Sequence, residues 1–256
     1  MTNIILSGCC GRMGKTITRL ASESPKYNIV CGVDHQFCVN DSAFKIVQHI
    51  SDAPNDADCI IDFSNPSSLN GLLEFSTKNS IPLVLATTGY TAEQVEQIKE
   101  ASQNATIFFS FNMSLGISLL ANLAKQATKV LGLDYDIEII ERHHNQKLDA
   151  PSGTAVLLAD EIMSVRNNEI DSHLVFDRHS RRAKRDTSEI GMSSIRGGTI
   201  VGEHTILFAG NNENIELTHS ANSREVFANG ALRAGEFIAG KPTGIYAMSD
   251  LVSGTC

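Results

Sequence analysis

The sequence predicts an α/β protein of two domains, on three patterns. Short, nearly continuous apolar runs alternate with amphipathic helical spacing as far as about residue 113, as a parallel sheet covered on both faces requires. A glycine-rich turn stands between the first of these runs and the first helical pattern. Beyond about residue 135 the rhythm changes to strands broken by one clear helix, which predicts a second, α+β domain with an open mixed, mostly antiparallel sheet.

Residues 3–7 form the first strand, followed at once by Gly8-Cys9-Cys10-Gly11-Arg12-Met13-Gly14 and by helical spacing at Ile17, Leu20 and Ala21. Strand, glycine turn and helix in this order let the backbone approach a pyrophosphate and place it at a helix N-terminus, so residues 8–13 are candidate dinucleotide contacts. A second strand, Ile29 to Val33, ends in Asp34, 20 positions beyond Gly14, where an acid receives the ribose hydroxyls. That carboxylate repels a 2′-phosphate, and His35-Gln36 offers no arginine to receive one. NADH is therefore favoured, with Arg12 or Lys15 as the alternative receiver of the NADPH phosphate. Strands over 59–63, 82–85 and 106–109 alternate with helices over 69–78 and 92–102, completing a Rossmann-type parallel sheet domain. Ala86-Thr87-Thr88-Gly89 and Ser110-Phe111-Asn112-Met113 occupy two carboxyl ends of that sheet. Both could contact the nicotinamide ribose, and on spacing alone both are equally ordinary polar turns.

A helix from about 113 to 131 leads away from this sheet. Strands follow at about 135–142, 172–176, 188–196, 201–209 and 213–220, with a helix over 153–165. An amphipathic helix from Arg224 to Ala239, with Gly240 just past its end, is most economically packed back on the first domain. The first domain is thus 1–113 with 224–256, and the second is 114–223.

The chemistry concentrates between Glu138 and Leu158. A strand with Ile137, Ile139 and Ile140 empties into a polar segment holding His143, His144 and Lys147; Pro151 stops the loop and Ser152 stands at an N-cap position. Gly153 and Thr154 then fall in the first helical turn, whose N–H groups suit a carboxylate or phosphate. An imidazole and an ammonium beside an anion site can supply protons to whatever is bound there. The competing reading is a solvated surface loop with a capped helix.

Composition narrows the rest. With 42% hydrophobic and 20% charged residues the chain has an ordinary globular make-up, and no run of 18 apolar residues or basic leader suggests a membrane span or signal peptide, so a cytoplasmic location is expected. A formal net charge of −8 argues against a nucleic-acid partner. One basic cluster, Arg178, Arg181, Arg182, Lys184 and Arg185, is either a solvated loop or a rim that steers an anionic substrate, and Arg196 is a further candidate for such steering. The six cysteines show no zinc spacing and are expected as reduced thiols. Adjacent His143 and His144 point differently and lack a third ligand at suitable spacing, so no metal is expected.

The stretch Glu141-Arg142-His143-His144-Asn145-Gln146-Lys147-Leu148-Asp149-Ala150-Pro151-Ser152-Gly153-Thr154-Ala155 resembles the signature of the 4-hydroxy-tetrahydrodipicolinate (dihydrodipicolinate) reductase family of the bacterial and plant lysine pathway. Gly11-Arg12-Met13-Gly14, Thr87-Thr88-Gly89 and Arg196-Gly197-Gly198-Thr199-Ile200-Val201-Gly202-Glu203-His204 resemble its other motifs. Two positions depart from the pattern: Cys10 where glycine is common, and Ala86 where Gly-Thr-Thr-Gly would begin. The resemblance implies NADH- or NADPH-dependent reduction of a cyclic dicarboxylic imine, water having left the hydroxylated ring. It implies His143 and Lys147 as proton carriers, with His144, Gly153 and Thr154 on a substrate carboxylate. Gly8, Cys9, Cys10, Gly11, Arg12, Met13 and Asp34 would bind the dinucleotide, joined by Ala86, Thr87, Thr88, Ser110, Phe111, Asn112 and Met113. A homotetramer built through the second domain's sheets is also implied. The competing functions are another two-domain NAD(P)-dependent enzyme acting on an amino-acid precursor, and a dinucleotide-responsive binding protein without turnover.

Overall fold

The computed structural model describes residues 1–35 and 43–254; Gln36, Cys38 and Cys256 lie outside the described residues. In chain order the elements are β1 (Thr2–Ser7), α1 (Arg12–Ser22), β2 (Tyr27–Val33), β3 (Lys45–Val47), β4 (Cys59–Asp62), α2 (Leu69–Asn79), β5 (Leu83–Leu85), α3 (Ala92–Ala101) and β6 (Thr106–Phe109). Then come α4 (Leu115–Leu131), β7 (Asp136–His143), α5 (Gly153–Arg166), β8 (His173–Val175), β9 (Glu189–Arg196), β10 (Gly202–Ala209) and β11 (Asn214–Ala221), and finally α6 (Glu225–Ile238), β12 (Gly244–Tyr246) and α7 (Met248–Ser253). The chain divides into two compact units, one formed by residues up to Leu115 together with those from Arg224 onward, the other by Gly116–Ser223. No helix among the described residues is long and apolar enough to cross a membrane.

The first unit is built on a seven-stranded sheet in the order β12-β6-β5-β4-β1-β2-β3, every pairing parallel. Alternate residues of one strand face opposite sides, so the continuous apolar runs supply two cores. Ile4, Leu6, Cys59 and Ile61 pack with α1 and α6 on one face. Ile5 and Ile60 pack with α2 and α3 on the other. Three short pieces, β3, β12 and α7, were not legible in the sequence, because three to six residues give too few turns or alternations for a period to show.

The second unit carries a five-stranded sheet, β11-β10-β7-β9-β8. It is mixed, as expected: β10 pairs antiparallel with β11 and β7, whereas β9 pairs parallel with β7 and β8. The cause is α5, a 14-residue helix between β7 and the β8–β9 pair, which is the crossover that a parallel pairing needs. Ile137 and Ile139 of β7 pack with Leu158 and Ile162 of α5, and with Ile190, Met192, Ile206 and Phe208 of the neighbouring strands. β7 alternates strictly between half-buried and buried positions, so the inward series runs Ile137, Ile139, Glu141, His143. The core-facing side of the sheet thus turns polar at its last two rows.

Candidate active site

In the first unit the predicted dinucleotide residues sit at the carboxyl ends of the parallel strands. Gly8, after β1, has φ +77°, and a Cβ there would lie 2.5 Å from the Phe63 carbonyl oxygen, so only glycine fits the turn. Gly11 caps α1 without a side chain and the first turn holds no acid, which leaves the positive end of that helix, with Arg12 and Met13, open to an anion. Asp34 follows β2 and accepts the Cys10 backbone N–H at 3.0 Å. Gly8, Gly11, Asp34, His35, Phe63 and Ser64 line a cavity of about 290 Å³. These residues fit the pyrophosphate and ribose of a dinucleotide.

The other two turns are placed less uniformly. Ala86 and Thr87 are buried, and Thr87 Oγ1 donates to Asp62 Oδ2 at 2.6 Å, so that hydroxyl is committed within the protein. Asp62 is fully buried and also accepts from Ser64 Oγ at 2.5 Å; burial raises its pKa against the pull of these hydrogen bonds. Thr88 is exposed. Ser110 Oγ donates to the Asn112 carbonyl at 2.8 Å, Phe111 is 57% exposed, and Met113 is buried in the core beside α6. The side chains of Cys9 and Met113 therefore serve the core, and burial pushes the Cys9 thiol up to about 11. Cys9, Cys31 and Cys59 are free and buried, whereas Cys10 is disulfide-bonded, contrary to the expectation of reduced thiols.

In the second unit the polar rows of the sheet form one connected cluster. Ser152 has extended backbone and its Oγ accepts the Ala155 N–H at 3.2 Å, capping α5 so that Gly153 and Thr154 open the helix. His143 closes β7, and Lys147 lies in the turn that follows, its Nζ 2.9 Å from Asp149 Oδ1. The end of β9 clasps this turn: Gly197 N–H donates to the His143 carbonyl at 2.9 Å, and an Arg196 guanidinium N–H donates to the Asp149 carbonyl at 2.7 Å.

Glu141, fully buried, lies at the centre. Its two oxygens accept both terminal nitrogens of Arg196 at 2.7 Å, Oε2 lies 2.6 Å from His143 Nδ1, and Oε1 accepts the Ser152 N–H at 3.1 Å. Burial pushes this carboxyl up, but the hydrogen bonds from Arg196, Ser194 and His143 and the guanidinium charge outweigh it and hold the pKa at about 2. Burial pulls the His143 imidazole below its ordinary value, helped by Lys147 and Arg196 and opposed by Glu141. His204, paired across the sheet with Glu141, bonds Ser152 Oγ through Nε2 at 2.9 Å, and its ring meets that of His143 edge to face at 5.2 Å. Burial drives its pKa down to about 4. His204 is a neutral strut at neutral pH.

Residues 2–113 match the family model described as dihydrodipicolinate reductase, N-terminus, and residues 116–252 the one described as dihydrodipicolinate reductase, C-terminus. The chain belongs to the dihydrodipicolinate reductase family. The 4-hydroxy-tetrahydrodipicolinate reductases of Clostridium novyi (strain NT) and Caldanaerobacter subterraneus subsp. tengcongensis are 47% and 45% identical to it, each alignment covering 98% of both chains. Among solved structures, the dipicolinate-bound dihydrodipicolinate reductase from Paenisporosarcina sp. TG-14 shares the fold, with a TM-score of 0.81 at 23% identity over 96% of this chain and 97% of that one. The reductase is accordingly an NAD(P)H-dependent oxidoreductase with a dinucleotide-binding N-terminal domain.

Two readings of charge change with the structure. Arg196 forks onto Glu141, so it serves that carboxylate where substrate steering was the expectation. In the basic cluster, Arg178 pairs with Glu138 at 2.7 Å and with Glu189, Arg181 pairs with Glu189, and Arg185 reaches Asp136 at 3.0 Å and the Ile137 carbonyl at 2.9 Å. Three of its cations latch the loop to β7 and β9. Sequence reasoning missed the roles of Glu141 and His204. The available signal for Glu141 was the alternation from Ile137 and Ile139, which puts position 141 on the inward face.

Proposed function

We propose that the reductase reduces 4-hydroxy-tetrahydrodipicolinate, or the dihydrodipicolinate formed from it by loss of water, to tetrahydrodipicolinate on the diaminopimelate route to lysine, in the cytoplasm. The observation that carries the residue assignment is the joining of His143, Lys147 and the capped start of α5 through one set of hydrogen bonds. A bound reduced nicotinamide supplies the hydride. Reduction of a conjugated imine leaves negative charge in the substrate, and a proton must meet it. Lys147 provides it, with His143 beside it as the proton donor or acceptor. His144 and the N–H groups and hydroxyl of Gly153 and Thr154 hold a carboxylate of the cyclic dicarboxylate substrate, where the positive end of α5 favours an anion.

In the nucleotide groove, residues Gly8, Cys9, Cys10, Gly11, Arg12 and Met13 hold the pyrophosphate, Asp34 takes the ribose hydroxyls, and Ala86, Thr87, Thr88, Ser110, Phe111, Asn112 and Met113 approach the nicotinamide end. Where side chains are buried, the backbone makes the approach. Asp34 favours NADH over NADPH, since its carboxylate repels a 2′-phosphate. The working form is a homotetramer assembled through the sheet of the second unit, on the face opposite α5, where Ile195 is 44% exposed.

The test couples the purified protein to an enzyme that condenses pyruvate with aspartate semialdehyde and follows loss of reduced nicotinamide absorbance with NADH and NADPH. Oxidation is expected only when both carbon substrates are present, and its absence contradicts the reading. In the same assay Asp34→Ala should raise the KM for NADH about tenfold, the value of a lost charged hydrogen bond, and leave that for NADPH unchanged or lower. Equal changes for both would remove Asp34 as the discriminator.

A further inference from the structure

We propose that Glu141 is the positioning residue of this active site, its carboxylate holding the neutral His143 imidazole in the Nδ1–H tautomer and tying it to the first residue of the α5 cap. The proposal rests on the assignment of His143 as a proton carrier and adds what makes that imidazole competent.

The geometry allows His143 little freedom. Nδ1 lies 2.6 Å from Glu141 Oε2, and an acceptor-only carboxylate there requires the proton on Nδ1, leaving the Nε2 lone pair for chemistry. Gly202 carries no Cβ, which would stand 3.0 Å from Nε2 and crowd that nitrogen, and the His204 ring holds the flank of the imidazole. Glu141 in turn cannot swing away. Both of its oxygens are taken by the Arg196 fork, and Oε1 also accepts the N–H of Ser152, which caps the helix at which the substrate carboxylate is proposed to bind. One carboxylate thereby fixes the relative position of a proton carrier and an anion site.

The charged and titratable groups facing His143 are Glu141 on its own strand, Arg196 on β9, His204 on β10 and Lys147 from the turn after β7. Glu141 is the only anion among these four, so its removal leaves His143 among positive and neutral partners and must lower the pH at which the ring protonates.

The experiment is two-bond ¹H–¹⁵N correlation NMR of the unliganded wild-type protein, with His143 assigned through His143→Gln. At about pH 8, where an ordinary imidazole is neutral, the ring is expected to carry its proton on Nδ1; a ring protonated on Nε2 overturns the proposal. Glu141→Gln keeps the shape but has one acceptor oxygen for donors from Arg196, His143 and Ser152. It should lower kcat at least about tenfold, move the His143 titration and the matching limb of the kcat profile to lower pH, and scramble the tautomer. Glu141→Asp should recover part of the loss. A Glu141→Gln enzyme with the wild-type kcat, pH profile and tautomer overturns the proposal while leaving the reductase reading intact; absence of imine reduction with the Nδ1–H tautomer present sinks the reaction assignment alone. If Glu141→Gln does not fold, the wild-type spectrum decides.

Discussion

Lys147→Ala is expected to lower kcat by about a hundredfold or more, and His143→Ala by a comparable factor, the range supplied by a positioned general acid. The two losses arise differently. Lys147 stands in the turn after β7 against Asp149, a half-exposed partner, so truncating it removes an ammonium without disturbing the sheet. His143 is buried at the end of β7, and its loss leaves Glu141 Oε2 short of one donor while Arg196 remains. A modest loss of stability should therefore accompany only the His143 variant. Because both side chains serve one protonation, the double variant should cost less than the product of the single losses. Steady-state rates at saturating substrate and nicotinamide decide it. An unchanged kcat in either variant removes that residue from the mechanism.

Arg196→Met should destabilise the second unit by about 3 kcal/mol near neutral pH, the cost of leaving a buried carboxylate without its cation. The sign with pH is diagnostic. In the wild type the Glu141 pKa is depressed to about 2, so its contribution is present above the ordinary carboxylate range and is lost as pH falls toward that value. Without the guanidinium, burial raises the same pKa, and the variant regains stability relative to wild type as pH falls from neutral and Glu141 takes up a proton. Native-state hydrogen exchange of the β7 and β9 amides reads this unit separately from the first. A penalty under about 1 kcal/mol, or one that grows on acidification, would show that the pair is not the buried support described here.

Most of the fold was legible because its signals are periodic. The apolar runs of β1, β4, β5 and β6 announce a sheet buried on both faces, and Ser152 ahead of Val156, Leu157 and Leu158 announces the start of α5. Pairing direction was not legible. Whether β9 lies parallel or antiparallel to β7 depends on how α5 crosses over, and strand composition carries no trace of that choice. At the site, His143, Lys147, Gly153 and Thr154 stood out as residue types in a capped-helix context. Glu141 did not, since an acid in a strand is usually solvated; only its phase with Ile137 and Ile139 marks it as inward. Arg196 and Glu141 are 55 residues apart in sequence, and their fork exists only because β9 pairs with β7. Likewise the basic cluster read as a solvated loop or a steering rim, because its acidic partners Asp136, Glu138 and Glu189 lie on two other elements, β7 and β9.

The central claim is that the polar end of β7 and the start of α5 grip a dicarboxylate. Isothermal titration of pyridine-2,6-dicarboxylate, a stable planar dicarboxylate, tests it without turnover. Binding to the wild type should weaken about tenfold or more in His144→Ala and in Thr154→Val, the loss of a charge-assisted hydrogen bond in each case, and stay unchanged in Asp34→Ala. Equal affinity for the wild type and both second-unit variants would contradict it.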